Sequence, residues 1–256
     1  MINKGKKEGD IEERKFVINF NKGKFEDFQK KFFGNITNLY SVRVTSKQIS
    51  KMNNLKVQPK SDAYLIELDP MDIQKIIDKD YLIIEEDLEQ LKHKIVNNSG
   101  ISIKRPDSTK YQIHKFTPNS FNMVFDNPYL GAGCLIYLDN SEMLSENTEI
   151  IKNWGIEIDQ FNMYFSKNLG INIAAIENSY KMIQKYCLSE IKNQIQSNSR
   201  IKQLVFTGEG IFDSPYCARF SYISGQLDEF QYTDFIVTQG SNRQDNPTIV
   251  IKPRAN

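Results

Sequence analysis

Two polar segments beside predicted β-strands carry the residue types that a metal-dependent phosphodiesterase needs. Asp62 comes directly before the apolar run 63–66, and Ser102–Lys104 ends a second β-like run. A carboxylate is a preferred oxygen ligand of Mg²⁺, and a lysine ammonium can hold the attacking water or offset the charge that builds on phosphorus. Because side chains alternate along a strand, Ser102 and Lys104 share a face, and strand pairing would bring them beside Asp62. The spacing therefore predicts a carboxylate and an ammonium group around one divalent cation.

The sequence around these residues resembles the PD-(D/E)xK nuclease superfamily, in which acidic residues bind the metal and a lysine assists hydrolysis. Pro59–Asp62 resembles the Pro-Lys-Ser/Thr-Asp form of the first half-motif in several type II restriction endonucleases, and Ser102–Lys104 resembles the second half. The resemblance covers roughly the first half of the chain, including the stretches 40–47 and 100–108. It departs from the usual pattern at Ser102, where the superfamily has Glu or Asp, so Ser102 would supply at most a neutral ligand.

The resemblance implies a function and a set of roles, which we state as expectations. The protein would be a type II restriction endonuclease that hydrolyses double-stranded DNA at a short specific sequence with Mg²⁺. Asp62 and the carbonyl group of Ile103 would bind the metal, and Lys104 would position or activate the water. A homodimer and a cognate DNA methyltransferase, encoded by a neighbouring gene, are the further partners that it implies.

We expect the N-terminal helix to supply the carboxylate that is absent at position 102, because in the superfamily the helix before the sheet often contributes a Glu to the metal site. The segment 9–20 has a helical apolar pattern, with Asp10 as its predicted N-cap. Glu13 borders the face that carries Val17 and is our choice for the ligand, whereas Glu12 aligns with Phe16 and stays an alternative. Both carboxylates could equally be solvated residues that favour the first turns of a helix.

Contacts with DNA are expected from basic clusters and from side chains that read base edges. Lysine and arginine bind phosphates, and Arg, Asn and Gln make bidentate contacts to bases in the major groove. Each cluster could also be a plain solvated surface, and an Asp before a strand is commonly a turn residue. The candidate DNA contacts are Arg43, Lys60, Arg105, Gln112, Lys115, Asn242 and Arg243.

Composition narrows the class of protein further. The 256 residues are 39% hydrophobic and 25% charged, with a net charge of +1, which is ordinary for a folded protein. The apolar runs are too short for a membrane span, and the basic N-terminus leads to no apolar signal region, so we expect a cytoplasmic protein. Three widely spaced cysteines fit neither a disulfide framework nor a zinc site and should be free, mostly buried thiols. Two histidines make a His-rich metal site improbable and favour oxygen ligation.

The expected fold is α/β, with a central mixed sheet flanked by helices in the restriction-endonuclease-like arrangement and a β-rich C-terminal portion. We expect one domain over 1–256, with a catalytic core at 1–125 that contains an insertion at 69–98, and a portion 126–256 that completes the fold and contacts DNA. Apolar periodicity predicts helices at 24–33, 69–78, 85–94 and 171–196, and strands at 39–45, 62–68, 81–84, 111–116, 218–223, 234–238 and 248–252.

Two other functions remain open from the sequence. The first is a DNA repair or recombination nuclease of the same fold, which would not cut at discrete sites. The second is a non-catalytic protein that binds nucleic acid or another protein, in which Asp62 and Lys104 form only a salt bridge.

Overall fold

A computed structural model describes residues 4–34, 36–45, 59–104, 111–136, 144–240 and 248–254. The chain forms two compact units. Unit 1 comprises Met1–Thr109 and Phe206–Tyr232, and unit 2 comprises Lys110–Val205 and Thr233–Asn256. A later segment of the chain, Phe206–Tyr232, thus returns to unit 1 and supplies two of its strands.

Helices and strands alternate in an order typical of a mixed α/β protein. The α-helices are α1 (Lys4–Asn21), α2 (Glu26–Phe33), α3 (Ile73–Asp78), α4 (Pro118–Phe125), α5 (Pro128–Leu135), α6 (Leu144–Asn153), α7 (Ile158–Leu169), α8 (Tyr180–Ser197) and α9 (Ser199–Thr207). The strands are β1 (Leu39–Arg43), β2 (Ala63–Leu68), β3 (His93–Ile95), β4 (Ile101–Ile103), β5 (His114–Phe116), β6 (Phe220–Ile223), β7 (Gln226–Glu229), β8 (Phe235–Gln239) and β9 (Ile249–Pro253).

The sheet of unit 1 is mixed. Its strand order is β1-β2-β4-β6-β7, and β3 also pairs with β2. The pairs β1–β2, β2–β4 and β6–β7 are antiparallel, whereas β4 and β6 are parallel, with Ser102 opposite Ser221. A parallel neighbour requires a long crossover, and here the first segment of unit 2, Lys110–Val205, lies between the two strands in sequence. The expectation of a mixed sheet flanked by helices is confirmed at this level.

Strand β2 is buried on both faces, which is why its sequence is almost continuously apolar. Ala63 and Leu65 pack in one core with α1, whose Phe16, Val17 and Phe20 recur at helical spacing and are buried. The side chains that alternate with these two along β2 pack in a second core on the other face of the sheet; they are Tyr64, Ile66 and Leu68. Burial of each large apolar side chain contributes about 1.5–3 kcal/mol, so these two cores hold β2 rigidly at the centre of the unit.

The N-terminal helix is longer than the sequence pattern indicates. It begins by Lys4, so Asp10 lies inside α1 and is not its N-cap, and Ile11 is exposed. Asp10 instead forms ion pairs with Arg14, one turn later, and with Arg43 of β1. The prediction of an N-cap was wrong because Asp10 finds a partner on a neighbouring strand, which a local pattern cannot reveal.

The connection from β2 to β4 differs in part from the prediction. A 3₁₀ turn at Pro70–Asp72 leads into α3 as expected, but the predicted strand at 81–84 is wrong. Asp80 and Tyr81 have positive φ angles, and the segment makes a single β-bridge between Ile84 and Arg43. Ile83 is fully buried, so the apolar pattern of 81–84 reflects burial of the segment and not pairing in a strand ladder. The predicted helix at 85–94 is a 3₁₀ helix at Glu85–Gln90 followed by β3.

Unit 2 has its own sheet and its own core. Its strands follow the order β5-β9-β8, all antiparallel, and α8 packs against α5 and β8. The buried stripe of α8 includes Ile183, Cys187 and Ile191, as the helical spacing predicts. Cys134 and Cys187 are buried free thiols and Cys217 is a partly buried one, which confirms the prediction for cysteine. None of the described helices is long and apolar enough to cross a membrane.

Candidate active site

The side chain of Asp62 lies at the junction of β2 and β4. Its backbone N–H donates to the carbonyl of Ile101 at 2.8 Å, and its Oδ2 accepts from the N–H of Ile103 at 2.7 Å. The carboxylate thus takes the position of a backbone carbonyl at the point where the ladder between the two strands opens. This bond fixes the carboxylate where β2 begins and β4 ends, and leaves its other oxygen outside the pairing with Ile103.

Lys104 follows β4 and is anchored on the opposite side of that strand. Its N–H donates to the carbonyl of Tyr222 in β6 at 2.8 Å, and its Nζ lies 3.9 Å from Oδ2 of Asp62. The side chains of Lys104 and Asp62 are 25% and 28% exposed. The structure therefore brings together the carboxylate and the ammonium group that the spacing had placed on separate strands, in a position that solvent can reach.

Glu13 on α1 is the second carboxylate of the site. Nε and Nη2 of Arg43 both donate to its Oε2, at 2.9 and 2.7 Å, so Oε1 is not used by the arginine. Burial, and then the negative charge of Asp62, raise the pKa of Glu13 to about 7, against the opposing effect of Arg43. The carboxylates of Glu13 and Asp62 are thus close enough to repel each other.

Glu12 has a different environment. It forms an ion pair with Lys15 at 2.9 Å, and its charge acts on Tyr222, where burial and then Glu12 raise the pKa of the phenol. Glu13, by contrast, has a pKa that is raised in part by the charge of Asp62. This electrostatic interaction with Asp62 favours Glu13 over Glu12 as the carboxylate contributed by the helix.

The remaining two residues of the lysine motif contribute neutral groups. Ser102 is 4% exposed and lies opposite Ser221 of β6. The N–H and the carbonyl of one strand residue point to the same side of the strand. Because the N–H of Ile103 points at Asp62, the carbonyl of Ile103 also faces the side of β4 on which the Asp62 carboxylate lies.

Lys60 is a further cation beside this group. Burial, and then the charge of Lys104, lower its pKa to about 7, while Asp62 acts in the opposite direction. Its stem contacts the turn after α9: a Cβ built on Gly208 would lie 2.9 Å from Lys60 Cγ. Lys60 was expected only as a DNA contact, and its place beside Lys104 is a property of the folded chain.

The other expected DNA contacts are distributed as follows. Arg43 is held by Glu13 and Asp10, and its side chain is 14% exposed, so we assign it to this ion pair rather than to a DNA surface. Gln112 and Lys115 belong to unit 2 and are exposed there. Three candidates lie outside the described residues: Arg105, Asn242 and Arg243.

Sequence reasoning missed the loop that supports the Asp62 segment. The carbonyl of Tyr216 accepts from the N–H of Ser61 at 3.3 Å. At Gly100 a Cβ would lie 1.9 Å from the carbonyl oxygen of Cys217 and 2.4 Å from that of Pro215, so only glycine allows this approach. The sequence signal was Gly100 itself, immediately before β4, since an isolated glycine at a strand often marks a close backbone contact.

The donor set fits a hard divalent cation. Asp62, Glu13 and the Ile103 carbonyl offer oxygen atoms, which Mg²⁺ prefers. The repulsion between the two carboxylates, visible in the raised pKa of Glu13, is what a cation would relieve. Within the described ranges, no group of three or more His, Cys, Asp or Glu side chains has the arrangement of a metal site, so two carboxylates and a carbonyl are the set that the fit rests on.

Comparison of the chain with family models, with curated proteins and with solved structures gave no match.

Proposed function

We propose that the protein is a Mg²⁺-dependent nuclease that hydrolyses double-stranded DNA, of the type II restriction endonuclease kind. One observation carries the proposal: Asp62 and Lys104, from two adjacent strands, meet at 3.9 Å, and the charge of Asp62 also acts on Glu13 of the preceding helix. The mixed sheet flanked by helices supports a restriction-endonuclease-like core, and the position of α1 before the sheet agrees with the resemblance.

The anionic and neutral oxygen ligands and the lysine would have different roles in the reaction. Asp62, Glu13 and the carbonyl of Ile103 would hold Mg²⁺, and the chemistry that this ion supplies when bound is activation of water and neutralisation of the phosphate. Lys104 orients the attacking water and stabilises the negative charge that grows on the phosphate oxygens as the bond to the leaving oxygen breaks. The hydrogen bond from Ile103 holds the Asp62 carboxylate in place before substrate arrives.

A purely structural role for the pair is less well supported. An ion pair that is a quarter exposed stabilises a protein by about 0–1 kcal/mol. Around this pair, burial raises the pKa of Glu13 and lowers that of Lys60, each to about 7, and the like charge of Asp62 or of Lys104 adds to the respective shift. Such crowding of like charges under partial burial is typical of functional sites, where strain is tolerated because a ligand relieves it.

The test is cleavage of supercoiled plasmid and of long linear DNA with Mg²⁺ by the full chain. We expect Asp62→Asn and Lys104→Met each to lower the rate by about a thousandfold, as loss of a metal ligand or of a preorganised charge does. Discrete bands would indicate a restriction enzyme, and a smear or a nick that depends on DNA structure would indicate a repair or recombination nuclease.

Matched controls come from the other end of β2 and from its partner strand β3. Glu67 of β2 and Lys94 of β3 are exposed and face each other in the register. Glu67→Gln and Lys94→Met should cut at the wild-type rate. If Asp62→Asn or Lys104→Met cut as fast as these controls, the assignment of the site is wrong; if the wild type binds DNA tightly but cuts none with Mg²⁺, the non-catalytic function is correct.

A further inference from the structure

Arg43 holds the Glu13 carboxylate by one oxygen only. Its Nε and Nη2 donate to Oε2 of Glu13 at 2.9 and 2.7 Å. An arginine and a carboxylate frequently pair through two parallel hydrogen bonds that use both oxygens. Here both donors converge on the same oxygen, and no residue in the described ranges donates to Oε1. The Glu13 side chain is 24% exposed, so solvent reaches the carboxylate.

The backbone that carries Arg43 lies directly beside Asp62. In the pairing of β1 with β2, Arg43 is opposite Ala63, the residue that follows Asp62. The N–H of Val44 donates to the carbonyl of Asp62 at 3.0 Å. The ion pair of Arg43 with Glu13 therefore joins α1 to β1 at the point where β2 begins.

Other contacts fix α1 on β1 independently of Arg43. The side chain of Asn21 accepts from the N–H of Ser41 at 2.6 Å and donates to the carbonyls of Ser41 and Tyr81 at 3.0 and 2.9 Å. The apolar face of the helix packs in the core that it shares with β2. Because these contacts hold the backbone of α1, Arg43 determines chiefly the direction of the Glu13 side chain.

We infer that Arg43 is a positioning residue, which holds the Glu13 side chain so that Oε1 is the oxygen that binds the divalent cation. The inference rests on the proposed function, since Glu13 and Asp62 would be ligands of that cation. Partners that orient a metal ligand typically contribute about 10–100-fold to metal affinity. Arg43 acts only through Glu13 and has no contact with the reacting atoms.

The first experiment changes the shape of the cationic group at position 43 and keeps its charge. In Arg43→Lys a flexible ammonium group replaces the planar guanidinium, whose donors have a fixed geometry. Thermal melts in increasing Mg²⁺, without DNA, give the Kd of the folded chain for the cation, which demands strict ligand geometry. We expect Arg43→Lys to raise this Kd about 10–100-fold. Chemical denaturation with a chelator checks that the variant is folded.

Arg14 provides the matched control. Its Nε donates to Oδ2 of Asp10 at 3.0 Å, so it belongs to the same group of ion pairs on α1, but it does not contact Glu13. Arg14→Lys should bind Mg²⁺ with the wild-type Kd. A rise in Kd equal to that of Arg43→Lys would show that any change in these ion pairs has this effect, which contradicts the inference.

A double-mutant cycle shows whether Arg43 acts through Glu13. Glu13→Gln removes the charge of the proposed ligand and should raise the Kd at least about tenfold. In the Glu13→Gln background, Arg43→Lys should raise the Kd no further, because the effects of residues that act through one another are not additive. If Arg43→Lys raises the Kd by the same factor in both backgrounds, Arg43 has a structural role only.

Glu13→Asp moves the carboxylate without changing Arg43. The shorter side chain keeps its charge but draws both oxygens back toward α1. Since Mg²⁺ demands near-ideal ligand positions, we expect the Kd to rise about as far as in Glu13→Gln. An unchanged Kd in Glu13→Asp would mean that the position of this carboxylate does not matter, and Arg43 would then have nothing to position.

The outcomes separate this inference from the proposed function. If Asp62→Asn and Glu13→Gln lose cation affinity but Arg43→Lys keeps it, the metal site stands and the inference fails. If Glu13→Gln binds Mg²⁺ as the wild type does, the inference also fails, and plasmid cleavage by Asp62→Asn still decides the proposed function. A wild type that Mg²⁺ stabilises at no concentration contradicts the inference in the same way.

Discussion

The two ends of β2 carry the same kinds of charged residue and use them differently. At the end where the strand begins, Asp62 shares one small volume with Lys104 and acts on Glu13. At the other end, Glu67 lies exposed, opposite an equally exposed Lys94. Charges at the second end are dispersed in solvent, whereas those at the first end are concentrated under partial burial.

The pKa values of two carboxylates show the consequence. Near the far end, Asp72 accepts from the N–H of Lys92 and pairs with Lys75, each at 2.7 Å; the Lys75 hydrogen bond, followed by that of Lys92, lowers its pKa. At the first end, burial and Asp62 raise the pKa of Glu13 to about 7. The Asp72 carboxylate is thus stabilised in its charged form by its partners, whereas Glu13, although Arg43 donates to it, has its charged form disfavoured by burial and by Asp62.

The sharpest test of this contrast exchanges the charges at each end. In the double variant Asp62→Lys/Lys104→Asp the ion pair is restored in reverse, so we expect the free energy of unfolding to change by about 1–2 kcal/mol, mostly because the Ile103 N–H loses its acceptor. Cleavage should fall by about a thousandfold or more, since the carboxylate no longer sits where the metal is held. Plasmid digestion and chemical denaturation measure the two effects.

The same exchange at the other end, Glu67→Lys/Lys94→Glu, should change neither quantity. If the exchanged pair at the first end cuts DNA as well as this control does, Asp62 and Lys104 act only as a salt bridge.

Divalent cations should stabilise one end of β2 and not the other. When a cation that binds only the folded chain is present at a hundred times its Kd, the free energy of unfolding should be about 2.7 kcal/mol higher than in the presence of a chelator. We expect the wild type and Glu67→Gln to show this gain with Mg²⁺ or Ca²⁺, and Asp62→Asn and Glu13→Gln to lose most of it. Thermal melts with and without the cation measure it, and an equal gain in all four proteins would place the cation elsewhere.

The smallest expected effect concerns Asp72 and acid. A lowered pKa means that the ionised carboxylate stabilises the fold above the ordinary carboxyl range, and that this contribution is lost as pH falls below about 4. Asp72→Asn should therefore melt at most a few degrees below the wild type at neutral pH. The difference should shrink as the pH is lowered through that range, and a difference that grows on acidification would contradict the stated role.

Much of the local structure could be predicted from the sequence. The spacing of Phe16, Val17 and Phe20 predicted the buried face of α1, and the run after Asp62 predicted β2 within one residue. Periodicity succeeds at such positions because burial on one or both faces constrains every residue of the element. Asp62 and Lys104 could be selected because only a few residue types suit metal-dependent hydrolysis.

Other features could not be predicted, for a common reason. The prediction of a strand at 81–84 was wrong because the segment is buried without forming a strand ladder. The prediction of Asp10 as an N-cap was wrong because its partner, Arg43, is distant in sequence. Strand β7 was missed because its exposed, polar residues give no apolar signal. In each case the outcome depended on a neighbour that local periodicity does not specify.

The sequence by itself indicated most of the buried segments and suggested Asp62 and Lys104 as a candidate pair. Only the tertiary structure decided that Lys104 lies 3.9 Å from Asp62, that the charge of Asp62 acts on Glu13, and that Arg43 is held by α1. The physical reason is that the burial of each residue is reflected in the local pattern of apolar and polar residues along the chain. Electrostatic partnership depends instead on distances of a few ångströms between side chains, and those distances arise only when the strands and α1 pack together.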